Sequence, residues 1–428
     1  MTTDRSDPRT STDLHRVQRR TVGVLAAAQV VGGIGSGSGL SVGALLLADM
    51  SGSSAVAGLA TTMLTLGAAA GSMPLARLAA ARGRRPGLAL GWALAATGGA
   101  VVVTGAALGS VLLVLLGLAV SGISSATNLQ SRYAATDLAE PSDVGRSLGL
   151  VVWSTTIGAV LGPNLTGPGA AVARSVGLPD LAGPFCFSVV SFGVAAVLML
   201  LALRPDPLVL ARTREPAAAP GTTVVRHGFA DAWRTVRANP TTSAGVATVA
   251  TAHAVMVSVM AMTPVHMQDH GAALEIIGLT ISLHIAGMFA LSPVMGWLVD
   301  RWGATRTAVL GQVVLLVAVA VAGTAGASEV RITVGLVLLG LGWSASLISG
   351  SAMVASSVDG PERTAVQGLS DVAMNLAGAL GGLLAGAVVA LAGFEVLAVA
   401  AGVLVVPLLV LHLRRGPLTG VGAARSAD

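Results

Sequence analysis

Long apolar runs, separated by short charged or Gly/Pro-containing breaks, make up most of this chain. Of its 428 residues, 54% are hydrophobic and 11% are charged, whereas a soluble domain carries about 25% charged residues. A helix that crosses the hydrocarbon core of a bilayer needs about 20 mostly apolar residues. The pattern therefore predicts an all-α membrane protein with 12 transmembrane helices. The predicted helices cover residues 21–47, 54–76, 86–108, 110–131, 147–170 and 183–203, and then 241–265, 274–299, 307–327, 331–354, 365–391 and 394–413.

The predicted helices form two groups of six, and the arginines indicate their orientation. All 25 basic residues are arginines, and 23 of them fall on one side of the predicted membrane. Since Lys and Arg concentrate in cytoplasmic loops, we expect both termini in the cytoplasm and the protein in the inner or plasma membrane. This asymmetry accounts for the pI of about 11.0 without a nucleic-acid partner. The expected units are a cytoplasmic N-terminal tail (1–20), a six-helix half (21–203), a cytoplasmic linker (204–240), a second six-helix half (241–413) and a cytoplasmic C-terminal tail (414–428).

Two residue types exclude whole classes of chemistry. The sequence contains no lysine, so it can form neither a P-loop, whose lysine reaches the nucleotide phosphates, nor a pyridoxal Schiff base. Its single cysteine, Cys186, excludes an internal disulfide and a cysteine-based metal cluster. We therefore expect no cofactor and no metal. Any pumping must draw on an ion gradient, which we take to be the proton gradient, or on a partner's ATPase.

The last part of the linker has the pattern of a short amphipathic helix. In residues 226–238, Phe229, Trp233 and Val236 lie at helical spacing opposite Arg234 and Arg237. Such a helix suits the inner membrane surface. A solvated linker helix is the alternative.

An internal repeat with an offset of 220 residues relates the two halves. The matching pairs include Asp49 and Asp269, Gly122 and Gly342, Pro141 and Pro361, Gly158 and Gly378, and Gly162 and Gly382. One offset that holds from the first helix to the eleventh is hard to obtain by chance. Parallel repeats of this kind occur in transporters whose substrate site lies near the bilayer midplane, between the halves.

The loop after the eighth helix carries a specific motif. Its residues Gly296, Asp300, Arg301, Gly303 and Arg306 resemble the G-x-L-x-D-R-x-G-x-x-R signature of the major facilitator superfamily. The resemblance extends over residues 20–413 and implies the twelve-helix fold of that superfamily, with two parallel six-helix repeats.

The loop after the second helix holds an incomplete copy of the signature. It keeps Gly83, Arg84 and Arg85 but has Ala80 at the aspartate position. We expect the corresponding contact in the first half to be absent or to depend on the arginines alone.

A second motif lies in the fifth helix. Its residues Gly158, Gly162, Pro163 and Gly167 are similar to the G-x-x-x-G-P-x-x-G-G motif of the superfamily's proton-driven exporters, with Thr166 in place of one glycine. The resemblance implies proton-coupled export. The arginine that such exporters carry in the fourth helix is missing here, because Leu118 occupies its position.

The aspartate of the complete signature can hold a helix end. A carboxylate near the N-terminus of a helix is stabilised by the helix dipole, by roughly 0.3–1 kcal/mol. By symmetry and resemblance we expect Asp300 to reach the start of the fifth helix, near Arg146, and to act as a latch that closes the cytoplasmic side. The alternative is a solvated turn with ordinary topogenic charges.

The glycines of the fifth helix predict a close contact. Small residues let membrane helices approach each other, and proline bends a helix. The first helix offers a matching surface in Gly35, Gly39 and Gly43. We therefore expect a bent fifth helix packed on the first; generic close packing is the alternative.

Few ionisable residues lie within the predicted spans, where they are functional candidates by default. Asp371, with Asn375 one turn further on the same face, is the best candidate for a proton carrier or a cation partner. It could instead cap the cytoplasmic end of the eleventh helix. His253 and His284 are the other titratable candidates, since imidazole switches near neutral pH; either could simply hydrogen-bond a neighbouring helix.

Two further charged groups allow alternative interpretations. Arg132 and Asp137 could pair as an inner gate or as a surface pair. Near the outer end, His266, Asp269 and His270 have a spacing that could serve a zinc ion, but we favour a loop at a helix end, which requires no metal.

Scattered polar and adaptable side chains predict a mostly apolar cavity. Such a cavity suits amphipathic or lipophilic molecules better than phosphates, since methionines adapt to varied shapes. The candidates are Gln29, Asn128, Gln130, Trp153 and Asn164, with Met256 and Met260.

These observations predict a secondary active transporter that exports small amphipathic or lipophilic molecules in exchange for protons. An importer or uniporter of a metabolite on the same fold is the alternative. We do not expect a membrane enzyme, which would need a clustered acid/base or metal set that the sparse, dispersed carboxylates do not provide. A sensor would usually bring an output domain, for which the short tails offer no candidate. The expected partners are a small-molecule substrate and the lipid bilayer, and we expect a monomer.

Overall fold

The computed structural model of the chain describes residues 8–52, 54–214, 229–272 and 274–415. The first half contains the spans 1 to 6: α1 (Pro8–Ser51), α2 (Ser54–Arg82), α3 (Arg84–Ala107), α4 with α5 (Val111–Ser121 and Ile123–Ala134), α6 with α7 (Val144–Asn164 and Thr166–Ser175), and α8 (Gly183–Ala202). The linker contains α9 (Pro207–Arg214) and α10 (Phe229–Ala238). Spans 7 to 12 are α11 (Pro240–Asp269), α12 with α13 (Leu274–Phe289 and Ser292–Trp302), α14 (Ala304–Gly323), α15 (Glu329–Ser356) and the two parts of α16 (Arg363–Arg415).

Twelve spans follow from these helices. Within the described residues, ten stretches are long and apolar enough to cross a membrane. One of them, α16, contains two spans, because Gly393 has a φ of 88° and interrupts the helical backbone. The remaining span is α6 with α7, which is divided at Leu165. The predicted all-α membrane fold with 12 transmembrane helices is confirmed.

The helix boundaries agree with the sequence breaks, with one large extension. The tight breaks predicted near Gly109 and Gly393 are present, and both glycines adopt positive φ values, which glycine tolerates best. The first helix begins at Pro8, inside the segment expected to be a tail. Residues 1–7 and 416–428 of the two predicted tails, and 215–228 of the linker, lie outside the described residues.

The repeat is visible in the backbone. Gly83, between spans 2 and 3, has φ 96° and ψ 173°. Its counterpart Gly303, between spans 8 and 9, has φ 88° and ψ 154°. Only glycine adopts this region readily, so both loops turn in the same way and the helices on either side begin and end at matching positions.

The apolar core is divided between the two halves. One large cluster lies within spans 7 to 12 and includes Leu336, Trp343 and Val405, while two others lie within spans 1 to 6. Two smaller clusters join the halves. They contain Met73 and Tyr133 with Val366 and Leu369, and Leu148 with Val299, Ile348 and Ala352.

Both joining clusters lie toward the same end of the bundle. At that end, arginines lie within or close to the connections between spans 2 and 3, 4 and 5, 6 and 7, 8 and 9, and 10 and 11. We call it the arginine-rich end. Since apolar contact between the halves is formed there, the structure is closed at this end.

The linker helix α10 packs against the arginine-rich end. Ala232 and Val236 are buried in the cluster that contains Tyr133, and Thr235 Oγ1 donates to Glu362 Oε2 at 2.6 Å. Phe229 and Trp233 remain about half exposed. The predicted apolar stripe is therefore divided, because Val236 faces the protein while the two aromatic rings point away from it.

Candidate gate and transport site

The signature aspartate of the second half binds the start of span 5. Asp300 Oδ1 accepts the backbone N–H of Gly145, and Oδ2 accepts that of Arg146, both at 2.7 Å. The first N–H groups of a helix have no partner within it, so the carboxylate satisfies two of them and also meets the positive end of the helix dipole. The contact expected from the sequence is present, and its role as a latch stays a prediction.

Close backbone packing accompanies this contact. A Cβ atom on Gly145 would overlap the carbonyl oxygen of Gly296, and one on Gly149 would lie 2.5 Å from the carbonyl oxygen of Ser292. Spans 5 and 8 therefore touch through their backbones at the arginine-rich end. Gly296 serves this approach, while Arg301 of the same signature lies over the ring of Trp297, with 5.5 Å from the guanidinium carbon to the ring centroid.

The first half forms a different contact at the same end. Arg84 is 1% exposed and binds both oxygens of Asp137, with Nε to Oδ2 at 2.7 Å and Nη2 to Oδ1 at 3.1 Å. The same Nη2 donates to Gln367 Oε1 of span 11 at 2.6 Å. With Ala80 in place of the aspartate, an arginine thus provides the link between the halves, as the sequence allowed; Gln367 was missed.

Arg132 does not pair with Asp137. It reaches across to span 11, where its Nη2 donates to Asp371 Oδ1 at 2.7 Å. The predicted pair was wrong because α5 ends at Ala134, so Asp137 lies in the turn beyond the helix, where it binds Arg84. The two carboxylates therefore take different arginines, Asp137 within the first half and Asp371 across the interface.

The Arg132–Asp371 ion pair is buried between the two halves. The side chains are 2% and 0% exposed. Among the residues that the structure describes, Asp371 Oδ2 and Arg132 Nε and Nη1 have no hydrogen-bond partner, although buried polar groups are normally satisfied. Next to the pair, Tyr133 Oη donates to Ser370 Oγ at 3.4 Å. Asn375 Nδ2 donates to the backbone carbonyl of Asp371 at 2.8 Å. Asp371 is therefore held between the halves rather than at a solvated helix end.

The glycines of span 5 do pack on span 1, but against a different face. Cβ atoms on Gly158 and Gly162 would overlap or crowd the backbones of Gly33 and Gly37, and Ser38 Oγ donates to the Gly162 carbonyl at 3.2 Å. The predicted surface was wrong: Gly35 and Gly39 face Phe192 and Phe185 of span 6, and Gly43 lies near Leu118. An α-helix turns about 100° per residue, so a shift of two residues selects nearly the opposite face.

The end of the span 5 motif does not continue this contact. Gly167 belongs to the separate helix α7, and a Cβ atom there would meet nothing within 4 Å. Pro163 lies one residue before the end of α6, and its side chain is outside the described part of the structure. The helix is interrupted within the motif, at Leu165, close to the proline, which favours such a break.

His253 is fixed by an aromatic wall in the second half. The Trp343 indole N–H donates to His253 Nδ1 at 3.1 Å, and Phe289 meets Trp343 edge-on, with ring centroids 5.7 Å apart. An indole nitrogen only donates, so Nδ1 accepts and the ring proton lies on Nε2, near Gly378. Trp343 was missed in the sequence; the small residues that surround it at positions 340, 342 and 344–346 were the available signal.

The other polar candidates are distributed over several places. Gln29 Nε2 donates to the Asn128 carbonyl at 3.4 Å, and Gln29 Oε1 is buried without a partner. His284 is fully buried and donates from Nδ1 to the Leu336 carbonyl at 2.7 Å, which leaves Nε2 unpaired. Trp153 and Asn164 are exposed. The structure thus brings Gln29 and Asn128 together but not the full predicted set.

The outer histidines are engaged in packing and backbone contacts. His266 Nε2 lies 3.0 Å from the Gly326 carbonyl. The His266 ring stacks on Phe394, with ring centroids 4.5 Å apart, and lies tilted against His270, with centroids 4.3 Å apart. In the described parts of the chain, no group of three or more His, Cys, Asp or Glu side chains could hold a metal ion.

Comparison with known proteins identifies the family. The Major Facilitator Superfamily pattern matches residues 24–273 and 245–427. The chain is 39% identical over 388 residues, 90% of this chain and 89% of the other, to the uncharacterized MFS-type transporter YdeG of Bacillus subtilis. It is 29% identical over 384 residues, 88% of this chain and 91% of the other, to the riboflavin transporter RfnT of Brucella anthropi.

A solved structure shows the same fold. The human organic anion transporter MFSD10 superposes with a TM-score of 0.71 at 19% sequence identity, and the match covers 92% of this chain and 99% of that one. Together with the twelve spans, the repeated loops and the signature in the second half, these matches show that the chain is a multi-pass membrane protein and belongs to the Major Facilitator Superfamily of transporters.

Proposed function

We propose that this protein is a proton-coupled exporter of small amphipathic or lipophilic molecules, and that Asp371 carries the proton. The observation that supports this proposal is the buried Arg132–Asp371 pair. One carboxylate oxygen binds the arginine at 2.7 Å, and the other has no hydrogen-bond partner within the described part of the chain. A buried carboxylate with a free oxygen can accept a proton, and protonation removes the charge that binds the arginine.

The position of the pair connects protonation to movement. With the arginine-rich end facing the cytoplasm, the structure is closed to the cytoplasm. A proton that arrives from outside neutralises Asp371, weakens its bond to Arg132 and so loosens span 4 from span 11. The cytoplasmic side then opens, substrate enters, and re-formation of the pair as the proton leaves closes that side again. Proton entry and substrate exit are thereby coupled through one carboxylate.

The side chains near mid-membrane suit an amphipathic substrate. The second half presents Trp343, Phe289 and His253, whose Nε2–H is a fixed donor as long as the indole occupies Nδ1. The first half presents Gln29, with an unpaired oxygen, beside Asn128. We propose that aromatic contact binds the substrate and that the amides and the imidazole orient it.

A second candidate function is transport of a planar heteroaromatic metabolite, independent of protons. The 29% identity to a riboflavin transporter over 88% of this chain favours it. Since the aromatic wall would suit either kind of molecule, the coupling to protons distinguishes the two functions.

Proton movement in everted vesicles tests the proposal. Vesicles with an acid interior, reported by a fluorescent weak base, receive lipophilic cations, neutral drugs or riboflavin. We expect some compounds to release protons through the wild type and none through Asp371→Asn. Asp359→Asn, an exposed carboxylate at the same end, serves as the matched control and should behave like the wild type.

Two outcomes would contradict the proposal. Release that persists in Asp371→Asn would move the proton to another group, with His284 and its unpaired Nε2 next in line. If no compound moves protons while labelled riboflavin still equilibrates across the membrane, the exporter is wrong and the second candidate takes its place.

A further inference from the structure

The segment that follows span 6 meets the loop between spans 2 and 3 through two charged side chains. Asp206 Oδ2 accepts the backbone N–H of Arg85 at 2.7 Å, and Arg212 Nη1 donates to the Ala80 carbonyl at 2.6 Å. We call Arg204–Arg214 the linker arm. Asp206 and Arg85 are 121 positions apart in sequence, so the arm is a separate segment that folds back onto this loop.

Asp206 caps two helices with one carboxylate. Its Oδ2 serves the first turn of α3, while its Oδ1 accepts the N–H groups of Leu208 and Val209 at the start of α9, at 3.0 and 3.2 Å. The N-cap of α3 is Gly83, which has no side chain to offer. A Cβ atom at that position would overlap the Asp206 carboxylate. The carboxylate therefore occupies the place that a capping Ser, Thr or Asp normally fills.

Arg212 completes the arrangement at the opposite helix end. The last four carbonyls of a helix have no partner within it, and Ala80 lies in the last turn of α2, which ends at Arg82. The negative end of the α2 dipole thus receives an arginine, and the positive end of the α3 dipole receives an aspartate. The loop between the two helices is held at both ends by complementary charges from the arm.

The residue that the arm positions is Arg84. It is the first residue of α3, directly before the N–H that Asp206 binds. Its guanidinium joins Asp137 to Gln367 of span 11 across the interface. The direction of this buried side chain depends on where α3 begins, and the arm sets that position. The copy of this loop after span 8 carries the signature aspartate, Asp300, whereas this loop has Ala80 at that position.

We propose that Asp206 and Arg212 are positioning residues for the gate: the linker arm holds the start of α3 so that Arg84 reaches Gln367 and keeps the arginine-rich end closed. The inference rests on the proposed closing role of that end but not on proton coupling. Loss of either contact should increase the time that the gate is open, while the folded bundle persists.

Alkylation of a buried thiol at the gate tests this proposal. The test uses Ser72→Cys in a Cys186→Ser background. Ser72 lies in span 2 beside Gly368 of span 11, and its side chain is fully buried. A membrane-impermeant maleimide is added to the arginine-rich side of everted vesicles. Each charge–dipole contact is worth a factor of roughly two to five, so Asp206→Asn with Arg212→Gln should react about three- to thirtyfold faster than the parent.

Three controls make the result specific. Arg214→Gln changes an exposed arginine of the same arm and should leave the rate unchanged, while Asp206→Glu, which keeps the carboxylate, should restore most of the slow rate. In parallel, Ser188→Cys reports a buried site between spans 1 and 6, away from the gate, and should stay unreactive.

The outcomes separate the alternatives. Faster reaction at position 72 alone supports the proposal. An unchanged rate at position 72 overturns it. A rise at both thiols also overturns it, because the arm would then stabilise the whole bundle and not the gate. If protons move normally through Asp371→Asn but the alkylation result holds, Asp371 is not the proton carrier and the arm's role stands.

Discussion

The contact between Asp300 and the start of span 5 gives the sharpest prediction, the effect of Asp300→Asn. The carboxylate accepts two N–H groups at 2.7 Å. Asparagine keeps one acceptor oxygen, turns an N–H donor toward the second amide and removes the negative charge. A hydrogen bond to a charged group contributes about 1.5–3 kcal/mol, and the charge at the helix end about 0.3–1 kcal/mol.

The expected change follows from these values. Because Asp300 is only partly buried, solvent screening reduces the charge contributions, and we expect the closed state to lose about 1.5–2.5 kcal/mol relative to the open one. This corresponds to a shift of about ten- to seventyfold in the closed-to-open ratio, since about 1.4 kcal/mol is a factor of ten. The variant should therefore populate a state that is open at the arginine-rich end.

Pulsed electron paramagnetic resonance across the gate measures this shift. Spin labels are attached through Ser142→Cys in the first half and Ser356→Cys in the second, both exposed at the arginine-rich end, in a Cys186→Ser background. We expect a longer distance to gain population in Asp300→Asn. Asp359→Asn, an exposed carboxylate at the same end, should leave the distribution as in the wild type. An unchanged distribution in Asp300→Asn, or an equal shift in both variants, would refute the latch.

Two further predictions concern packing and the linker helix. Gly158→Val should lower the melting temperature in detergent, because the added atoms would overlap the Gly33 backbone and overpacking costs about 1–3 kcal/mol or more. Gly167→Ala, in open space, should change the melting temperature little. Equal effects of the two substitutions would contradict the assigned contact between spans 1 and 5. The Trp233 indole, about half exposed on α10, should be quenched by brominated phospholipids if α10 lies on the membrane surface. The part of the quenching that disappears in Trp233→Phe comes from this ring. If the wild type and Trp233→Phe are quenched equally, α10 is a solvated linker helix.

The fold could be predicted because its determinants are local. Span lengths follow from the apolar runs, and Gly109, Gly303 and Gly393 mark breaks through backbone angles that other residues avoid. The Asp300 contact was also predictable, because a carboxylate seeks a helix N-terminus and the repeat indicates which one. These features need no knowledge of how a helix is rotated about its axis.

Features that depend on rotation could not be predicted. Gly33, not Gly35, faces Gly158, since small residues occur on several faces of span 1 and composition does not select one. Arg132 pairs with Asp371 of span 11 and not with Asp137, which is close in sequence, because its long side chain reaches across the interface. The contacts of Asp206 could not be predicted either, because nothing in residues 204–214 indicates that this segment meets the loop between spans 2 and 3.

The two halves differ in how freely their gate residues can be exchanged. Asp300 recognises main-chain N–H groups, so the side chain at position 146 can vary without loss of the contact, provided that position 145 has no Cβ atom. Arg84, Asp137 and Gln367 recognise one another through side chains, and a change in one requires a matching change in another. A mutational scan should therefore find the second-half contact dependent on a single side chain, and the first-half contact recoverable only through paired substitutions.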